Sequence, residues 1–288
     1  MENLNLSLYT TINGIGGGSG LLYKNGVLYL ASDDSFILFV YDKERDLLKK
    51  VVLNPNTKRL EQIEKINKPD FESITQVGDI IYIFGSGSTK SRCWMAEVDS
   101  NNLQLRELHS LDKLYEKVKK TNKIDAKDFN IEGTILYDDT ALFFNRGNGP
   151  NKRNGVFKVR NWQNLELTNA SYIDIPLPAI GGFSSGFTDA VLVDNLIYFL
   201  ASAEDTVSSY HDGDILGSAI GILSFPDLNL EDFKIITTKY KLEGIDVLNI
   251  KKEKVEFILC EDADDGIAET DIFHLEIDRH RRPITKNT

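Results

Sequence analysis

The chain has 288 residues, of which 41% are hydrophobic, 27% charged and 10% aromatic, the balance of a folded protein with a substantial core. Its 44 acidic against 33 basic side chains give a formal net charge of −11, which repels polyanions and excludes nucleic acid or an anionic membrane as the main partner. A bound cation, or a small polar or anionic ligand held by one, fits that charge better, and the expected state is a monomer.

Taken in chain order, the N-terminal stretch MENLNLSLYTTING has neither the basic start nor the long apolar run of a signal peptide, and no segment reaches bilayer length. Cys93 and Cys260 each lie in an apolar segment without metal-ligand spacing, so both read as buried free thiols of a chain expected in the reducing cytoplasm. Residues 5–12 alternate like a strand but have no neighbour of their own. The glycine-rich residues 14–20 precede the first repeating strand rather than follow one, so they form an entry to it and not a dinucleotide loop.

From Gly20 onward one unit returns five times: an alternating strand, a tight polar turn, an aromatic-rich strand and two further short strands. The leading positions are Gly20, Glu72, Glu132, Asp189 and Glu243, spaced 52, 60, 57 and 54 residues apart. A repeat of this period with four strands per unit predicts an all-β fold, a five-bladed β-propeller with four antiparallel strands per blade. The fifth unit supplies only three clear strands, so residues 5–12 are expected to close the last blade. Residues 110–123 alone carry a helical pattern, with Leu111, Leu114, Tyr115 and Val118 on one face and Ser110 able to cap the start. This is a short insertion between blades two and three, and residues 1–288 form a single domain.

The first strand of a propeller blade lines the central tunnel, so Glu72, Glu132, Asp189 and Glu243 are expected to face one another. Two carboxylates 5 Å apart repel by about 3 kcal/mol at an effective dielectric of 20, and several cannot all stay ionised without compensation. A hard cation supplies it, and calcium, with six to eight oxygen ligands in flexible geometry, suits a ring better than magnesium. Ser19 and Thr188 can add oxygens where blades one and four offer less acid. Without an aligned histidine or cysteine, zinc is excluded. Two alternatives stay open: carboxylates bonded to backbone amides of the next blade, or paired with buried lysine or arginine, although no basic residue is expected at an equivalent inward position. Asp189 sits one residue nearer the next strand than Glu72 and Glu132 do, which leaves Thr188 as the alternative inward residue.

The segments DFESIT, FNIEGTIL, SGFTDAVL, KLEGIDVL and CEDADDG, with NRGNGPNKRNG, are similar to a family of uncharacterised bacterial β-propellers over nearly the whole chain. More distantly, the acid that leads each inner strand resembles the calcium-dependent apyrases, five-bladed with a central calcium held by glutamates and serines, and the esterase-like phytases. The close resemblance implies no reaction. The distant one implies calcium at Glu72, Glu132 and Glu243, with Ser19 and Thr188 in the hydroxyl-bearing places.

After each second strand the chain turns strongly polar, and equivalent strand ends share one face of the disc, where loops on a rigid scaffold bind ligands. Asp33, Asp34, Glu204, Asp205, Glu261 and Asp262 make this mouth acidic, while Arg146, Lys90 and Arg92 are the candidate anion holders. A cation with Arg146 could grip and polarise a phosphate or carboxylate. The expected function is therefore that of a calcium-binding propeller, either a metal-dependent hydrolase of phosphoester, ester or lactone substrates or a non-catalytic ligand- or protein-binding propeller with a structural metal. GSGSTKS lacks P-loop spacing, DADDG lacks EF-hand order, and of the four histidines only His211 falls in a mouth loop.

Overall fold

The computed structural model describes residues 1, 4–204, 215–262 and 268–279. Strand β1 (Leu4–Asn13) comes first. Blade one follows as β2 (Gly20–Lys24), β3 (Val27–Ala31), β4 (Ile37–Asp42) and β5 (Leu47–Val52). Blade two comprises β6 (Phe71–Val77), β7 (Ile80–Gly85), β8 (Trp94–Asp99) and β9 (Leu105–Ser110), and helix α1 (Asp112–Asn122) comes after it. Blade three is β10 (Ile131–Tyr137), β11 (Thr140–Asn145), β12 (Gly155–Arg160) and β13 (Asn169–Asp174). Blade four is β14 (Gly186–Val193), β15 (Leu196–Glu204), β16 (Ile215–Ser224) and β17 (Leu230–Thr237), and blade five starts with β18 (Leu242–Ile250), β19 (Lys254–Glu261) and β20 (Glu269–Asp278).

Each blade is a four-stranded antiparallel sheet, and the fifth has the order β1-β20-β19-β18. The N-terminal strand is therefore the outer strand of the last blade, paired from Leu4 opposite Ile277 to Asn13 opposite Glu269. Each neighbouring pair of blades shares an apolar core. Leu38 and Ile83 belong to the one between blades one and two, Phe84 and Phe143 to the next, Phe144 and Phe199 to the third, Tyr198 and Phe257 to the fourth. The fifth, with Leu30 and Ile258, joins blade five back to blade one. Alternation in the inner strands thus sends one set of side chains to each neighbouring blade, and the ring closes.

Helix α1 begins one residue later than a Ser110 cap predicts, because Leu111 is its cap residue and makes no side-chain cap bond. The Ser110 hydroxyl instead accepts from the Asp112 N–H at 3.3 Å. The expected face is buried: Leu114, Tyr115 and Val118 pack into the core of blades two and three, and the Tyr115 hydroxyl donates to the Gly85 carbonyl at 2.9 Å. Cys93 and Cys260 are buried free thiols. Among the described residues, no helix is long and apolar enough to cross a membrane.

Candidate functional site

The inner strands carry a shared irregularity that builds the site. In β6 the pairing with β7 skips Glu72, in β10 the pairing with β11 skips Glu132, in β14 it skips Thr188 and in β18 it skips Glu243. A bulge of this kind sets two residues against one and re-aims the extra side chain. In blade one Ser19 takes the same place, since its N–H bonds the Ala31 carbonyl at 3.1 Å while Gly20 pairs with Ala31. Thr188, not Asp189, is thus the blade-four counterpart of the three glutamates.

Glu72, Glu132 and Glu243 line a cavity of about 340 Å3 at the tunnel mouth, and all three are buried. Thr188 is directed elsewhere, its hydroxyl donating to the Leu242 carbonyl at 2.8 Å, and Ser19 is buried beside Gly20. Asp189 occupies the position that is Gly133 in blade three, where an added Cβ would lie 3.1 Å from the backbone of the next blade. Its carboxylate accepts from the Ala190 N–H at 2.8 Å and, across the blade boundary, from the Ile245 N–H at 2.9 Å. The amide-bonded arrangement therefore holds for Asp189.

Pairing with a buried lysine or arginine, the other alternative, holds for Glu132 and Glu243, although the cations come from outside the equivalent strand positions. Arg146, buried, places one guanidinium nitrogen 2.7 Å from Glu204 and the other 3.5 Å from Glu132 and 3.6 Å from Glu243. Lys241 Nζ lies 3.0 Å from Glu243, 3.3 Å from Asp262 and 3.5 Å from Glu204. Arg146 is thus a structural partner of the glutamates as well as a mouth residue. Lys241 was missed; it stands two residues before Glu243, immediately ahead of β18. The same offset identifies Asp70 before Glu72 and Asn130 before Glu132. Asn130 Nδ2 donates to Glu132 at 2.6 Å. Asp70 accepts from Arg92 at 2.8 Å and from the Ser86 hydroxyl, and Lys68 Nζ lies 2.9 Å away.

Glu72 differs from the others. Among the described residues its carboxylate has no hydrogen-bond or ion-pair partner, although only 8% of the residue is exposed. Burial raises its pKa well above the usual carboxylate range, and Glu132, Asp70, Glu243 and Asp33 push the same way. Oxygens of Asp33, Asp70 and Glu72 lie within 4.8 Å of one another, a spacing that could hold a metal ion. Asp33 and Asp70 share Lys68, whose own charge is disfavoured by burial but held by Asp70 and Asp33. Burial likewise pushes Glu132 up to about 8, with Arg146 pulling down and Glu243 pushing up. Glu243 also stands at about 8, through burial opposed by Lys241.

Of the other expected mouth residues, Asp34 and Asp262 line the cavity with Asp33, and the Ser32 hydroxyl donates to Asp34 at 3.0 Å. Arg92 lines it too but is committed to Asp70. Glu204 lies in an adjoining hollow against Arg146. Lys90 is exposed in a short turn before Arg92, and Glu261 is a buried residue at the end of β19. Asp205 and His211 lie outside the described residues, as does most of DADDG.

Residues 14–277 match DUF6929, a family of unknown function. No curated protein matches the chain significantly in sequence. Among solved structures, a member of the DUF4221 family from Bacteroides vulgatus ATCC 8482 aligns at 8% identity over 96% of this chain and 99% of its own, with a TM-score of 0.43. A luciferin-regenerating enzyme aligns at 8% identity over 95% of each chain, with a TM-score of 0.47.

Proposed function

We propose, for a chain that belongs to the DUF6929 family of unknown function, that the tunnel mouth binds a divalent cation, calcium, and through it a small anionic ligand. The observation that carries this reading is the unpartnered, buried carboxylate of Glu72 beside Asp33 and Asp70. The Glu72 carboxylate faces the cavity rather than a protein partner, and a carboxylate so enclosed favours a proton or a cation. The wider cavity is rich in oxygen ligands: among the described residues seven carboxyl groups line it, alongside five lysine and arginine side chains. Among the described residues its lining offers oxygen ligands and no histidine or cysteine, which suits calcium rather than zinc.

Glu132 and Glu243 are already satisfied by Arg146, Lys241 and Asn130. This supports a position for the ion at the Glu72 side of the ring, where it would share Asp33 and Asp70 with Lys68 and Arg92. Lys65 and Lys68 border the same cavity and add positive potential for an anion. When bound, the ion supplies Lewis-acid polarisation of a phosphoryl or carbonyl oxygen. Glu132 and Glu243, held near pKa 8, carry a proton for much of the time at neutral pH and could deliver it to a leaving group. Hydrolysis of a phosphoester, ester or lactone is the catalytic form of this reading, and binding alone its non-catalytic form.

Calorimetric titration of chelator-treated protein tests it. Calcium should bind at one site, more tightly than magnesium, and Glu72→Gln should weaken binding at least tenfold while Glu132→Gln weakens it less. Absence of calcium binding to wild-type protein would remove the reading. A panel of phosphomonoesters, carboxyl esters and lactones, run with calcium and with chelator, then separates catalysis from binding.

A further inference from the structure

A second hollow of about 450 Å3 adjoins the tunnel mouth, and Arg146 and Asn148 line both. Its far wall carries Phe183, 38% exposed, whose ring meets no other aromatic ring among the described residues. That exposure is built in. Ile180 and Phe183 exchange two backbone hydrogen bonds of 3.0 Å each, and the intervening Gly181 and Gly182 have φ of +60° and +89°. Both values lie in the left-handed region, giving the tight turn that joins two antiparallel residues with no room for register drift. Ile180 is fully buried and anchors the turn, so Phe183 is held out over the hollow rather than left on a loose loop.

The two cavities differ in character. Among the described residues the hollow is lined by Lys152 and Glu204 besides the Arg146 it shares with the mouth, and more of its surface is apolar. The tunnel mouth is the acid-rich cavity and takes up the cation. We infer that the hollow is the subsite for the flat, ring-bearing part of a small organic anion whose charged group lies in the tunnel mouth. A ring laid against Phe183 would have Arg146 at the junction of the two cavities and Lys152 at its outer edge. Together the cavities have the size of a site for an ordinary small molecule. This inference rests on the reading of the mouth as a cation-assisted anion site, and it adds what the rest of the ligand must look like.

Phenyl phosphate and inorganic phosphate, titrated into calcium-loaded protein, separate the two ideas. Wild-type protein should bind phenyl phosphate about five- to tenfold more tightly, the range expected for one added aromatic contact. Phe183→Ala should bring the two affinities together by weakening phenyl phosphate alone, and Phe183→Trp should keep the preference. The exposed Phe183 side chain makes both variants safe for folding, which their melting curves would confirm. Equal binding of the two anions by wild-type protein, or a preference that survives Phe183→Ala, would overturn the subsite and leave the calcium-dependent anion site standing. Failure of both anions to bind calcium-loaded protein would overturn the subsite together with the anion reading.

Discussion

Arg146 shows how one side chain serves two purposes. Buried between Glu132, Glu204 and Glu243, it compensates charges that are largely withdrawn from water. Removing one partner of such a network typically costs about 3–5 kcal/mol, so Arg146→Ala should lower the urea midpoint substantially. The loss should be smaller near pH 6 than near pH 8.5, because Glu132 and Glu243, already raised to about 8, can take a proton in the arginine's absence. An equal loss at both pH values would mean that packing, not charge, is what Arg146 contributes. Sequence alone suggests a substrate-holding role for this residue, since it sits in a polar loop after a strand. Its ion pairs with Glu204 and Glu243 join residues 58 and 97 positions away, and such contacts depend on how blades meet. Lys241 and Asp70 were missed for a related reason: each lies just ahead of its strand, where alternation no longer says which way a side chain points.

Among the elements, the bulges in β6, β10, β14 and β18 are the least legible feature and the one that makes the site. A bulge adds one residue without breaking the alternating pattern on either side, so in a sequence it looks like a shift of register. That is why Asp189 aligns with the glutamates by eye while Thr188 holds their place in space. The repeat itself was legible because each blade needs the same four strands and turns. So was the closure by β1, because the fifth unit lacked a strand. That closure makes a prediction: deleting residues 1–13 removes the partner of β20 over its full length and exposes a long edge. Size-exclusion chromatography should show aggregation, and a peptide of residues 1–13 should restore a monomer. A soluble monomer with unchanged melting would contradict the role given to β1.

Over the whole molecule, the acids of the tunnel set how stability varies with pH. Glu132 and Glu243 have folded-state pKa values of about 8 against an ordinary value of 4.5, so the folded state holds protons that the unfolded chain has released. Between those values stability must fall as pH rises, levelling off above about 8. Chelator-treated protein should therefore melt at lower temperature near pH 8.5 than near pH 6. Calcium at about 100 times its dissociation constant adds roughly 2.7 kcal/mol, and because it competes with protons in the ring its effect should be greatest at the higher pH. Melting scans across this range with chelator and with calcium check both statements, and a flat profile in chelator would contradict the first. The ring also has a consequence in time. Thr11 and Asp271, hydrogen-bonded across the closing pair, are 260 residues apart in the chain. At a synthesis rate of about 5–20 residues per second, β1 leaves the ribosome roughly ten seconds to a minute before β20 exists. Throughout that interval the nascent chain carries an unclaimed strand, and four blades can form before the one that locks them. Chaperone capture during translation should therefore concentrate on β1.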